Sequence, residues 1–142
     1  MKAFQLDTSP YKQDVWVILG DSSSNAVKFI NEKFKDNIDE LDDDGDRCRG
    51  FQWKTHYPTG NFEKARFFVY INIKDLKRST TVEHELLHLT WDILHHVGVR
   101  LTPNNHEAQT YLFEHLINDF KNKSHGRINH RRTKKSKEIR KR

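Results

Sequence analysis

At 142 residues the chain suits one domain with a modest core, and with 35% apolar and 32% charged residues it is too polar for its whole length to pack. Residues 121–142 carry 11 Lys/Arg against one Glu (+10), whereas the first 120 carry 14 Lys/Arg against 19 Asp/Glu (−5), so the formal +5 describes a basic tail on a mildly acidic body. A single cysteine, Cys48, excludes an internal disulfide, no apolar run reaches membrane-spanning length, and the opening MKAFQLDTSPYKQD does not read as a secretory leader, so the expectation is a cytoplasmic protein with no membrane partner.

In chain order, DVWVILG (Asp14–Gly20) is a short β-branched run closed by glycine, and predicts a buried strand. DSSSNAVKFINEKFKDNI opens on Asp and Ser and spaces Val27, Phe29, Ile30 and Phe34 as a capped amphipathic helix does. An acidic loop follows, with seven Asp/Glu between Asp36 and Asp46. RCRGFQWKTHY and KARFFVYINIKD predict two strands joined by the turn-rich PTGNFE, the second with one well-buried face. Thr80 and Glu83 stand in capping-box spacing at the head of a helix that Gly98 is placed to end. After RLTPNN, Asn104 or Asn105 can cap a last helix, HEAQTYLFEHLINDFKNK. The order is β-α-β-β-α-α, an α+β domain over residues 1–123 with a small mixed sheet. Residues 124–142 form a basic tail expected to be disordered when alone. Trp16, Trp53 and Trp91 are expected in the core.

The segment Ser79–His96 holds four of the nine histidines, and within it lies His84-Glu85-Leu86-Leu87-His88. On a helix, residues four apart sit one turn above each other, so both imidazoles can reach one ion. Glu85 is rotated from them by about 100° and can act on water instead of ligating. That division of labour suits zinc hydrolysis: the metal acidifies water, and a carboxylate outside its ligand set takes up the proton. The motif is short enough to arise by chance, so its weight comes from context. Val82, Leu86, Leu89, Ile93 and Val97 form one apolar stripe, while His84, His88 and His95 cluster within about 40° on another face. A solvent-facing histidine stripe is the competing reading.

A catalytic zinc keeps three protein ligands and an open position. Leu94 stands where a third histidine six residues on would be needed, but Glu107 opens the next helix, and a helix hairpin can return it to the histidine pair. His95 is an alternative third ligand, and Glu107 can instead simply compensate the helix dipole. VEHELLH followed by NHEAQTYLFEHL resembles the small gluzincin-type zinc metallopeptidases, most closely the compact ones encoded by bacteriophages. The resemblance spans Thr80 to about Leu116. It implies a Zn²⁺-dependent peptidase acting on a protein or peptide in the host cytoplasm. His84, His88 and Glu107 become ligands, Glu85 the general base, and RFFVYINI a sheet-edge strand that pairs with extended peptide. Tyr111, one turn after Glu107, is the first candidate to stabilise the oxyanion, ahead of His106 and His115; a core aromatic is its alternative. Asp92 can orient a ligand imidazole or simply be an exposed helix charge.

ELDDDGDRCRGF places Glu40, Asp42, Asp44 and Gly45 at calcium-loop positions, but Phe51 stands where a bidentate Glu is needed, so a solvated acidic loop is expected. Cys48 lies between Arg47 and Arg49 without a motif that makes it a nucleophile. The tail, with Arg131, Arg132, Lys134, Lys135, Lys137, Arg140, Lys141 and Arg142, suits nonspecific nucleic acid, docking on the acidic loop, or mere solubility. The alternative function is therefore a catalytically inactive, zinc-stabilised protein that binds nucleic acid or a host protein through this tail.

Overall fold

The computed structural model describes residues 1–39, 49–56 and 65–139. The elements run β1 (Lys2–Leu6), β2 (Asp14–Gly20), α1 (Ser23–Phe34), β3 (Gly50–His56), β4 (Ala65–Asn72), α2 (Ser79–His96) and α3 (His106–Ile139). Single 3-10 turns, Ile73–Asp75 and Pro103–Asn105, precede α2 and α3. The fold is α+β, with a four-stranded mixed sheet in the order β1-β2-β4-β3. β2 and β4 are parallel, and each carries an antiparallel neighbour, β1 and β3 respectively.

Two expectations about the sheet are corrected. β1 was not foreseen, because KAFQL offers only Phe4 and Leu6 to the core; its pairing with β2 makes it a strand. β4, RFFVYINI in the sequence, is not an edge strand. It is hydrogen-bonded on both sides, and among the described residues β3 is the terminal strand instead. The reason lies in its side chains: both faces of β4 are buried, not one. Phe67, Val69 and Ile71 pack with the apolar stripe of α2 and with Leu112, Leu116 and Phe120 of α3. Phe68 and Tyr70 pack on the opposite face with Ala26, Val27 and Ile30 of α1. A strand that is apolar all round needs helices on both faces, and a central position supplies them.

α1 begins where the sequence places it, with the Ser22 hydroxyl accepting from the Asn25 N–H at 3.2 Å. It stops at Phe34, short of the expected Ile38, where Lys35 turns left-handed at φ 57°. The Asn31 side chain then clasps the Ile38 backbone through both its oxygen and its nitrogen. α2 starts without the expected capping box: Arg78 is the cap residue and makes no side-chain cap bond. Its end is as expected. Gly98 at φ +81° lets its N–H reach His95 O while Val99 N–H reaches Leu94 O, a Schellman closure that only a left-handed residue allows.

α3 is tied to the β1 side of the sheet. Lys123 Nζ donates to Gln5 O at 2.9 Å and to Asp119 at 2.7 Å, and Asp119 accepts from the Asp7 N–H at 2.8 Å. The helical backbone continues to Ile139, through the basic segment; among the described residues the last that α3 gives to the core is Phe120, just before the expected boundary at 123. Trp16 and Trp53 are partly buried against the α1 cluster as expected, but Trp91 is 38% exposed on α2. The acidic-loop residues 40–48, with Cys48, and the 57–64 link lie outside the described residues. Among the described residues no helix is long and apolar enough to cross a membrane.

Candidate metal and proton-transfer site

α2 carries the site because its two faces have different partners. Leu86, Leu89 and Ile93 are fully buried toward the sheet, which pins the helix and its rotation. His84, two residues before Leu86, is exposed at the surface, and His88 is partly buried. Their Nε2 atoms stand 3.2 Å apart, with the rings nearly perpendicular at 76° and centroids 4.6 Å apart. Trp91, one turn on, meets His88 edge-on at 5.9 Å. Two nitrogen ligands of a tetrahedral zinc, each about 2.0–2.1 Å from the metal, lie about 3.3 Å apart, so the pair has the separation of two corners of such a site.

Glu85 is buried, only 8% exposed, and lies within electrostatic reach of both imidazoles. Its carboxylate lies against the backbone of Gly50, at the start of β3, leaving no room for a side chain there. Burial raises its pKa above the ordinary glutamate value, and the His84 and His88 charges oppose that rise. A carboxyl with raised proton affinity beside an imidazole pair is a group prepared to take up and return a proton.

The other expected participants lie further along α2 and on α3. Glu107 is exposed in the first turn of α3. Among the described residues, no group of three His, Cys, Asp or Glu side chains is gathered closely enough to hold one ion. Tyr111 is 59% exposed and stacks on His115, with ring centroids 6.3 Å apart and planes 5° from parallel. His115 in turn contacts Asp7 through Nε2 at 3.2 Å. His106 is held by Pro103 O at 2.6 Å, while His95 and Asp92 are exposed on α2. His96, for which the sequence suggests no role, packs edge-on against Phe67 at 5.9 Å. Gly50 and Trp91 are site neighbours that sequence reasoning missed. The signal for Gly50 was a glycine at the head of a strand, which marks close approach of another group; Trp91 carried none beyond its place one turn after His88. Comparison of the chain with family models, curated proteins and solved structures gives no match.

Proposed function

We propose that the protein is a zinc-dependent peptidase whose metal sits on α2. The observation that carries this reading is the convergence of His84 and His88 Nε2 at 3.2 Å with the buried Glu85 carboxyl between them in sequence. His84 and His88 would hold the ion, and Glu107, in the first turn of α3, is the proposed third ligand, which would have to move to reach it. Bound zinc supplies Lewis acidity and lowers the pKa of water. Glu85 would accept a proton on its carboxylate and return it to the leaving nitrogen of a cleaved peptide, and the burial that raises its proton affinity favours that exchange. Tyr111 would donate to the developing oxyanion after leaving its stack on His115. The terminal strand β3, not β4, is the strand beside which an extended substrate would pair. Glu85→Gln tests the assignment: zinc content stays at the wild-type level and turnover of a fluorogenic peptide library is abolished. Turnover that survives this substitution refutes the role of Glu85.

A second reading draws on α3. Its backbone runs as one helix through the basic segment to Ile139, about 50 Å in all at 1.5 Å per residue, while Phe120 is its last described core residue. On this reading zinc stabilises an inactive scaffold that binds nucleic acid or a host protein through the tail. It predicts salt-dependent DNA binding that disappears on truncation after Ser124, with no peptide hydrolysed.

A further inference from the structure

The carboxylate of Glu85 occupies the place where a side chain of residue 50 would be. A Cβ built on Gly50 would meet Glu85 Cγ at 2.8 Å, Oε1 at 3.0 Å and Cδ at 3.1 Å, whereas ordinary contacts begin at 3.4 Å. Backbone conformation does not require glycine here: among the described glycines only Gly98 has positive φ. Nor does pairing require it, since Gly50 lies opposite Ile71 in a regular antiparallel register, where glycine weakens a strand. The reason for the glycine is Glu85.

We propose that Gly50 is a positioning residue, its bare backbone forming the wall that holds the Glu85 carboxylate beside the His84–His88 pair. This rests on the metal-site reading above. The wall is stiff. Gly50 is in the β3–β4 ladder, and the preceding Arg49 O accepts from the Asn72 N–H at 2.8 Å. Glu85, by contrast, has side-chain torsions that can turn. An added methyl therefore moves the Glu85 side chain rather than the strand, by about 0.6 Å at Cγ and about 0.4 Å at Oε1 to restore ordinary contact. Displacements on the order of 1 Å at a reacting group cost about 100-fold in rate.

The test is a cycle of Gly50→Ala and Glu85→Ala in the full chain, read first by thermal unfolding without metal. Gly50→Ala lowers the midpoint when Glu85 is present and leaves it unchanged or raises it in the Glu85→Ala background, because alanine suits a strand better than glycine. If Gly50→Ala alone does not fold, recovery of folding in the double variant gives the same support. An equal loss in both backgrounds overturns the proposal. On the peptidase reading, Gly50→Ala also keeps its zinc and its KM while kcat falls about 10- to 100-fold. Loss of zinc together with turnover overturns the positioning role, because the substitution then acts on the ligands. A wild type that binds no zinc refutes the metal-site reading instead, and the unfolding cycle still decides whether Gly50 holds Glu85.

Discussion

Zinc added to the metal-free protein should stabilise it through His84 and His88, and the size of the effect follows from their geometry. The two Nε2 atoms are already 3.2 Å apart, close to the roughly 3.3 Å of two nitrogen ligands on a tetrahedral zinc, so little binding energy is spent on moving them. A ligand held only by the native state, at 100 times its dissociation constant, adds about 2.7 kcal/mol. For a folded body of this size, 1 kcal/mol moves the midpoint by about 4 °C, so a rise of about 10 °C is expected. Differential scanning calorimetry with and without zinc reads it directly. His84→Ala or His88→Ala should remove most of the shift, whereas His95→Ala, on the same helix but outside the pair, should retain it. Glu107→Ala then decides the third ligand: a reduced shift places Glu107 on the ion, and an unchanged shift removes it. No shift in the wild type, or the full shift in a His84→Ala/His88→Ala double variant, refutes the site.

In metal-free protein the raised pKa of Glu85 makes stability depend on pH. Between the ordinary value of 4.5 and the raised native value, the native state keeps a proton that the unfolded chain has released. Stability therefore falls as pH rises through that window and levels off above it. Urea denaturation across the window should show this fall in wild type and its absence in Glu85→Gln; parallel curves for the two proteins would contradict the burial argument. Leu86→Ala, in a fully buried position beneath the histidine pair, should cost about 2–5 kcal/mol by chemical denaturation, a large share of the 5–15 kcal/mol typical of a domain. Truncation after Ser124 should leave the thermal midpoint nearly unchanged, since the last described core residue of α3 is Phe120. The same truncation should abolish any binding of the full chain to duplex DNA and its salt dependence, about 0.9 in log–log slope per phosphate contacted. Binding that persists in the truncated protein would place the interaction on the body.

Local signals carried much of the site and part of the fold. The helical period of Ser79–His96 is enough to set Leu86, Leu89 and Ile93 on one face and His84 with His88 on another, because that separation depends only on the angle between successive residues. The Ser22 cap of α1 and the Gly98 closure of α2 were legible for the same reason: each is made by groups a few residues apart. Arg78 at the head of α2 shows the limit, since Thr80 and Glu83 have capping-box spacing but lie inside the helix.

What the tertiary structure alone decided involves groups distant in sequence. Whether β4 lies at the centre or the edge depends on which strands pair with it, and its alternation reads the same in either place until helices are seen on both faces. β1 has too few apolar residues to announce itself and exists through β2. α3 docks through Asp119 and Lys123 onto the β1 side, a contact that helix periodicity cannot express. The burial of Glu85 is of the same kind. Sequence places a carboxyl between two histidines; only the packing of α2 in the folded chain buries it and raises its proton affinity.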